Sequence, residues 1–252
     1  MFVVVDNMEK LNQEQLDRYK YTIGLEEIKE EGQLKLLTSS VLVVGAGGLG
    51  SAALLALGSI GVGHIGIVDD DIISATNLPR QIIYGIKDVG KGKAITAKKV
   101  LKSKNPDIDV KIYPYRLDEN NARRIIKKYD IVLDCTDNFE TKFLINDTCV
   151  KLKKPFVTAG VMDYKGQIMT VIPGKTADFK SLFDELPKYN PDDDKSVYPL
   201  AVSIISNIAA SEVIKYLLNL GELIGSRSSH DRMMTAPSSS AMPVSLWPIS
   251  RT

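Results

Sequence analysis

The sequence is poor in the residues that form disulfide frameworks, zinc sites and histidine-based catalytic centres. Its 252 residues include two cysteines, Cys135 and Cys149, and two histidines, His64 and His230. Two cysteines cannot form a disulfide framework and do not have zinc-finger spacing, so we expect a reducing compartment. The histidines belong to no triad or ligand cluster in the sequence, so nucleophilic and metal catalysis are both poorly supported.

The chain also has no excess of either charge and no uninterrupted apolar segment of membrane-spanning length. Charged residues make up 25% and the formal net charge is +1, which predicts neither a nucleic-acid partner nor an anionic membrane. The apolar start turns polar too early for a signal peptide. The longest apolar stretch, 200–220, contains an amide and two charges, which favours a buried or interface helix. We therefore expect a soluble, cytoplasmic protein.

Apolar β-branched runs alternate with helix-period segments through the first two-thirds of the chain. Strands are predicted at 41–44, 64–68, 110–113, 131–133, 156–158 and 167–172. Helices are predicted at 49–60, 93–104, 119–129 and 140–153. This alternation predicts an α/β fold, a Rossmann-like, mostly parallel twisted sheet with helices on both faces.

Changes in composition divide the chain into three segments. Residues 1–40 are predicted to form a helical segment, 41–220 the α/β domain, and 221–252 an irregular tail rich in Ser, Met and Pro. Within the domain, residues 175–198 hold two prolines and three consecutive aspartates and have little periodicity. A long loop inside a compact domain is usually functional or disordered.

A glycine-rich turn joins the first predicted strand to the next helix. Gly45, Gly47 and Gly50 match the G-x-G-x-x-G spacing, in which the glycines allow a tight turn, close approach of phosphate and close helix packing. A lone match is weak, but this one follows a strong strand and opens an apolar helix. It favours a nucleotide site over a structural turn, and by itself it suggests NAD.

Polar residues that follow the second strand extend this site. Asp69 follows Gly45 at roughly the separation, about 20 residues, of an acid that binds a ribose, whereas Asp70 is better explained as part of a solvated turn. Arg80 lies between Asn77 and Gln81 in a polar cluster that a dinucleotide oxidoreductase has no evident need of. Such groups suggest ATP and chemistry on a phosphate.

Two further candidates have structural alternatives of similar weight. Lys93 could bind phosphate, although it lies among other lysines on what could be a solvated helix face. Asp137 follows the strand 131–133 and could hold Mg²⁺ bound to phosphates, or it could cap the helix that begins near Phe139. Cys135 and Cys149 are best explained as buried small hydrophobic residues.

The order of these motifs resembles a known family. GAGGLG, VDDD, NLPRQ, VGKGK, LDCTDN and the GQ at 166–167 follow one another with close spacing. The pattern is similar to that of the MoeB/ThiF/HesA group, the relatives of ubiquitin-activating enzymes, from about Arg18 to about Leu220. NLxRQ and CTDN in register with the glycine loop are far more specific than the loop alone.

The resemblance implies an ATP-dependent adenylyltransferase. Members bind ATP and Mg²⁺ and adenylate the C-terminal carboxylate of a small ubiquitin-like or sulfur-carrier protein ending in Gly-Gly, as homodimers. By the resemblance, Gly47 and its neighbours, Gly48 included, line the nucleotide pocket, and Asp69 holds the ribose. Arg80 and Lys93 contact the phosphates, and Asp137 binds Mg²⁺. Residues 175–198 would guide the substrate tail.

Three features of the sequence depart from the family pattern. An arginine that usually reaches the partner subunit's nucleotide is replaced by Tyr21, beside Lys20, whose ammonium does not reproduce bidentate phosphate binding. The paired C-x-x-C motifs of a structural zinc are missing, which predicts no zinc. No cysteine occurs in 194–199, before the last long helix, which predicts no covalent carrier intermediate.

These departures leave two other functions open. The first is a nucleotide-binding pseudoenzyme or regulatory partner, because the family arginine, zinc motifs and cysteine are all missing. The second is an NAD-dependent oxidoreductase, suggested by the glycine loop and Asp69. It ranks lower because no histidine or Tyr-Lys pair is evident as a proton donor.

Overall fold

The computed structural model describes residues 10–183 and 196–225 and the backbone of 242–245. The strands are β1 (Ser40–Val44), β2 (His64–Val68), β3 (Asp109–Tyr113), β4 (Ile131–Asp134), β5 (Phe156–Met162), β6 (Lys165–Val171) and β7 (Met242–Ser245). The helices are α1 (Gln13–Arg18), α2 (Lys20–Ile23), α3 (Lys29–Thr38), α4 (Gly48–Ile60), α5 (Lys93–Lys104), α6 (Ala122–Ile126), α7 (Phe139–Leu152) and α8 (Pro199–Leu218). Short 3₁₀ turns lie at Ala75–Asn77, Ile86–Asp88 and Lys180–Leu182.

The strands form one mostly parallel sheet in the order β3-β2-β1-β4-β5-β6-β7. The first five strands in this order are parallel, while β6 and β7 are antiparallel to their neighbours. The predicted Rossmann-like α/β fold is therefore confirmed. The chain leaves β1 towards β2 and later returns on the other side of β1 as β4. Ligands in such sheets bind in the crevice at the carboxyl ends of the strands where the order reverses, here between β1 and β4.

Each face of the sheet is covered by helices, which explains the near-continuous apolar strands. In β1, Val41 and Val43 belong to one buried cluster with residues of α4, α5 and α8, and Leu42 and Val44 to another with residues of α6 and α7. Because successive strand residues point to opposite faces, a strand covered on both sides must be apolar at every position.

Two predicted elements differ in length from those observed by more than two residues. The predicted helix 119–129 is reduced to Ala122–Ile126, because the Asp118 carboxylate accepts hydrogen bonds from the amides of Asn120 and Asn121 and keeps them in a turn. Strand β5 continues to Met162 beyond the predicted end at 158, because it forms an antiparallel hairpin with β6. In residues 159–162 the strand is therefore extended by the hydrogen bonds of that hairpin and not by a β-branched sequence pattern.

Helix α8 is the long apolar element of the sequence. It is long and apolar enough to cross a membrane, but half of its apolar window is buried inside the protein. It packs on β5, β6 and α4, as the prediction of a buried helix requires. Its buried Glu212 accepts hydrogen bonds from Thr170 Oγ1 at 2.8 Å and from Lys215 Nζ at 2.6 Å. These bonds satisfy a charge that burial alone would disfavour.

The prediction of an irregular tail is wrong at one place. Residues 221–252 were expected to be irregular, but Met242–Ser245 forms β7 and pairs with Lys165–Ile168 of β6. Strand β6 would otherwise present a row of unpaired backbone groups at the sheet edge, which favours pairing with any extended segment. A four-residue strand that contains a proline has no recognisable period. Residues 184–195 of the predicted long loop, and most of the tail, lie outside the described residues.

The N-terminal helices are attached to the domain by the buried Tyr19. Its hydroxyl oxygen accepts a hydrogen bond from Asn105 Nδ2 at 2.9 Å, and Asn105 also donates to the carbonyl of Gly58 at 2.7 Å. The neighbouring Arg18 forms an ion pair with Asp107 at 3.2 Å. Burial raises the pKa of Tyr19 to about 12, so the hydroxyl stays neutral. This contact fixes where the following residues, Lys20 and Tyr21, leave the domain.

Candidate functional site

The glycine loop connects β1 to α4 at the point where the strand order reverses. Its glycines are required for different steric reasons. Gly45 has φ +91°, and a Cβ there would lie 2.9 Å from the carbonyl oxygen of Cys135. A Cβ on Gly50 would lie 1.9 Å from the carbonyl oxygen of Gly45. At Gly47 the nearest atom would be Gln81 Nε2, at 3.7 Å. Gly45 and Gly50 are therefore required by the fold, while Gly47 leaves open space on the crevice side.

Gly48 begins α4 and lies under two neighbouring side chains. A Cβ on Gly48 would be 3.0 Å from Val202 of α8 and 3.6 Å from the aliphatic stem of Arg80. The start of α4 therefore carries no side chain of its own at Gly47 or Gly48, and no side chain of the described residues caps its first amides. Unpaired amides at a helix start, reinforced by the helix dipole, attract phosphate.

Asp69 lies at the end of β2, next to the glycine loop. Its carboxylate accepts hydrogen bonds from the amide of Ala46 at 2.7 Å and from that of Asp71 at 3.0 Å. Burial raises the pKa of Asp69, and the two amide bonds act in the opposite direction. Each carboxylate oxygen keeps a further lone pair that could accept a ribose hydroxyl. Asp70, the next residue, is exposed, as the solvated-turn interpretation predicts.

Asn77 is the last residue of the 3₁₀ turn Ala75–Asn77, and Arg80 and Gln81 follow it. Gln81 is buried, and its Oε1 has no hydrogen-bond partner among the described residues, while its Nε2 faces Gly47. A buried acceptor without a partner costs about 1–3 kcal/mol, which a bound ligand or water would recover. Arg80 is half-buried, and its Nη1 donates to the carbonyl of Thr76 at 3.1 Å. Asn77 accepts from the amide of Ser74 at 3.0 Å, so its oxygen stabilises the turn.

Lys93 does not lie on a solvated helix face. It is the first residue of α5, its side chain is 7% exposed, and its ammonium lies 2.7 Å from the carboxylate of Asp71, which is 67% exposed. The hydroxyl of Tyr84 contacts the carbonyl of Ala46 at 2.8 Å and that of Lys93 at 3.3 Å. Burial raises the pKa of Tyr84. Tyr84 therefore links the glycine loop to the start of α5.

Asp137 lies just beyond β4, on the other side of the crevice, and it does not cap α7. The N-cap is Asn138, whose side-chain oxygen accepts from the amide of Thr141 at 2.9 Å. The helix-cap alternative for Asp137 is therefore wrong. Its carboxylate is exposed and forms neither a hydrogen bond nor an ion pair with any residue of 10–183 or 196–225. An unpaired carboxylate at the carboxyl end of a strand is free to bind a ligand.

A buried ionic network under Asp137 was not predicted. Lys142 of α7 forms an ion pair with Asp134 at the end of β4, at 3.0 Å, with side chains 9% and 1% exposed. Thr158 Oγ1 donates to the same carboxylate at 2.7 Å. A signal was available in the sequence. Lys142 has helical spacing with Ile145 and Cys149 on the buried face of α7, where an unpaired lysine would not be tolerated.

The two cysteines are buried, as predicted. Burial raises the pKa of both thiols, Cys135 after β4 and Cys149 in α7, well above the ordinary value for cysteine. A neutral buried thiol is a poor nucleophile, since the thiolate is the reactive form. Both residues act as small apolar side chains in the core.

Comparisons with known proteins identify the family of the chain. The model of the ThiF family matches residues 19–242. The chain is 41% identical over 209 residues to a probable molybdopterin-synthase adenylyltransferase of Porphyra purpurea, a match covering 81% of this chain and 55% of that protein. It is 37% identical over 220 residues to the SAMP-activating enzyme E1 of Haloferax volcanii, covering 86% of this chain and 81% of that protein.

A solved structure of similar fold is that of E. coli MccB with ATP. It has a TM-score of 0.70 and 25% identity, and the match covers 75% of this chain and 59% of that one. The chain thus spans little more than half the length of the Porphyra relative and of MccB. The family match extends over most of the chain, through the glycine loop, Arg80, Lys93 and Asp137. The chain belongs to the ThiF family.

Proposed function

We propose that this chain is an ATP-dependent adenylyltransferase that activates the C-terminal carboxylate of a small ubiquitin-like or sulfur-carrier protein. The observation that carries the proposal is the buried Gln81 amide oxygen, unpaired beside the open side of Gly47. The names of the relatives support the reaction type, since they include a sulfur carrier protein adenylyltransferase of Thermus thermophilus, 37% identical. MccB has been solved together with AMPCPP and MccA, which supports a nucleotide and a second ligand on this fold.

The residues present fit ATP and Mg²⁺. We infer that the first amides of α4 bind phosphate, that Asp69 binds the ribose, and that Arg80 and Lys93 bind phosphate oxygens. The free carboxylate of Asp137 is the hard oxygen ligand that Mg²⁺ prefers, and one carboxylate together with phosphates is its usual protein site. When bound, Mg²⁺ neutralises charge on the phosphate oxygens and on the leaving pyrophosphate.

The proposed reaction needs no proton transfer by the protein. An oxygen of the carrier's terminal carboxylate attacks the α-phosphorus, the bond to the oxygen that bridges to the β-phosphate breaks, and acyl-adenylate and pyrophosphate form. A carboxylate is ionised at neutral pH, so no general base is required. Arg80 and Lys93 reduce the repulsion between the two anions, and catalysis is mainly positioning and electrostatic stabilisation. Lys93 must exchange or share its Asp71 partner when phosphate binds.

Assembly and partners follow from the same proposal. We infer a homodimer in the cytoplasm, with no structural zinc, because the chain lacks the paired cysteine motifs of the family. Tyr21, in the position of the family arginine, is 90% exposed on α2 and is available to a second subunit. The neighbouring Arg18 is held by Asp107, whereas Lys20 forms no ion pair with any residue of the described part of the chain.

The test is carrier-dependent exchange of pyrophosphate into ATP. We expect exchange with the cognate carrier, and we expect Arg80→Ala and Asp137→Ala each to abolish it, since each removes charge that acts on the phosphates. Arg123→Ala, on the exposed face of α6, is the matched control and should retain the wild-type rate. Full activity of both site variants would disprove the site assignment.

The same material separates the other two functions. ATP binding without exchange on any cognate carrier would favour a pseudoenzyme, for which the replacement of the family arginine by Tyr21 is the specific argument. A thermal-shift titration with ATP and with NAD tests the oxidoreductase, because the true ligand raises the unfolding temperature by mass action. We expect a shift with ATP, and a shift with NAD alone would disprove the proposal.

A further inference from the structure

The buried network under Asp137 joins three elements at one carboxylate. Asp134 Oδ2 accepts from Lys142 Nζ at 3.0 Å and from Thr158 Oγ1 at 2.7 Å. The same ammonium donates to the carbonyl of Ala159 at 2.8 Å. Strand β4, helix α7 and strand β5 are therefore tied together through Lys142. Lys142 Nζ and Asp134 Oδ2 each form at least two hydrogen bonds, as buried charged groups require.

The other oxygen of the same carboxylate controls the chain that leads to Asp137. Asp134 Oδ1 accepts from the amide of Thr136 at 3.0 Å and from its hydroxyl at 2.7 Å. On the far side, Asn138 is fixed as the N-cap of α7. Asp137 therefore lies between two residues whose backbone is held by side chains. The carboxylate of Asp137 itself is left free, so the packing of the core does not explain why this segment is held. This indicates a functional role for the segment.

Stability alone is a weak reason for this arrangement. Burying two charges costs about as much as their attraction returns, and apolar residues of similar volume often serve a core equally well. Partners that orient a metal-binding residue without touching the metal, by contrast, commonly determine metal affinity. The segment that the pair holds lies beside the glycine loop, since a Cβ on Gly45 would be 2.9 Å from the carbonyl oxygen of Cys135 and 3.5 Å from the amide nitrogen of Thr136. Its location thus favours a positioning role.

We propose that Lys142 is a positioning residue, which acts through Asp134 to hold Asp137 towards the metal of a bound nucleotide. This inference rests on the proposed function, because it takes Mg²⁺ with ATP as the ligand. Lys142 touches neither the nucleotide nor the metal. Its removal leaves Asp134 without its counter-ion, so that this carboxylate no longer holds Thr136, and Asp137 loses its fixed direction.

The test measures ATP binding by calorimetry with Mg²⁺ and with EDTA. For Lys142→Met we expect the Kd with Mg²⁺ to rise by about tenfold or more, as for other residues that orient metal ligands, and the Kd in EDTA to change by less than about twofold. Lys142→Arg should restore binding with Mg²⁺, because a guanidinium can also donate to Asp134. Equal weakening with and without Mg²⁺, or no weakening, would overturn the proposal.

Two further variants separate positioning from folding. Lys215→Met breaks a second ion pair that has a buried carboxylate, that of Lys215 with Glu212 at 2.6 Å. It lies about 20 Å along α8 from Val202, the neighbour of the glycine loop, and should leave both Kd values unchanged. Thr136→Val keeps the Lys142 pair and removes the hydroxyl bond, which tests the same path if Lys142→Met does not fold. We expect a smaller loss, confined to the Mg²⁺ form.

The binding assay also distinguishes this proposal from adenylation. If the wild type binds ATP with Mg²⁺ but exchanges no pyrophosphate with any carrier, the enzymatic proposal fails and the variants still decide the role of Lys142. If the wild type shows no metal-dependent binding of ATP, both proposals are wrong. Retention of metal-dependent binding in Lys142→Met and Thr136→Val overturns the positioning role alone.

Discussion

The two sides of the crevice are built by different means. On the β1–β2 side, the glycine loop is held by backbone contacts, including a hydrogen bond from the Gly45 amide to the Val68 carbonyl at 2.8 Å. On the β4–β5 side, the chain that leads to Asp137 is held by the carboxylate of Asp134, which is paired with Lys142. Backbone contacts depend on the absence of side chains and tolerate no replacement. Side-chain contacts can be removed one at a time, so on the second side each supporting group can be tested by its own substitution.

The largest expected effect breaks the first side completely. Gly50→Ala would place a Cβ 1.9 Å from the Gly45 carbonyl oxygen. No rotamer relieves this clash, because the position of a Cβ is fixed by its own backbone and the oxygen is a backbone atom. We expect a loss of stability of about 3 kcal/mol or more, measured by denaturant unfolding. Gly47→Ala is the control, since its Cβ has room, and it should unfold like the wild type while binding ATP more weakly. Equal stabilities of the two variants would contradict this account of the loop.

A smaller effect is expected from Asp69→Asn, which tests a side chain that contacts the glycine loop on the first side. The amide offers one acceptor where the carboxylate offers two, so the bond to Ala46 or to Asp71 is lost together with a contact to the ribose. We expect the Kd for ATP to rise by roughly tenfold, the worth of one hydrogen bond to a charged group. Asp70→Asn, on an exposed neighbour, should bind like the wild type. If both variants bind equally, Asp69 does not hold the ribose.

The smallest expected effect comes from Tyr84→Phe. The variant keeps the ring and removes the hydroxyl that contacts the carbonyls of Ala46 and Lys93. We expect about 1 kcal/mol of lost stability in denaturant unfolding, the net worth of a neutral hydrogen bond, with a modest loss of ATP affinity. An unchanged stability would mean that Tyr84 does not couple the glycine loop to α5.

Much of the first side could be predicted because its signals are local. The β-branched strands, the glycine spacing and the acid after β2 lie close together in the chain, and each has a period or spacing of its own. Arg80 and Gln81 were also identified, although the unpaired Gln81 oxygen became evident only when β1, the glycine loop and the 3₁₀ turn were seen together. Tyr84 was missed, because its partners in the loop and in α5 are far from it in sequence.

The second side could be predicted only in part. The sequence places Asp137 at the end of a strand, but it cannot decide between Asp137 and Asn138 as the cap of α7, since both side chains can accept from a helix amide. Lys142 was not singled out in the sequence, and Lys93 could be explained as part of a solvated helix face. The partners that bury them, Asp134 and Asp71, were not identifiable from spacing alone. Strand β7 depends likewise on the free edge of β6.

By itself, the sequence determined the α/β fold, the mostly parallel sheet and the position of the glycine loop. These features follow from local periodicity and from the steric freedom of glycine, which are written residue by residue. Only the tertiary structure decided which charges are buried, which acid stays free and which lysine supports it. Burial and pairing depend on residues that are distant in the chain and meet only when the sheet is assembled.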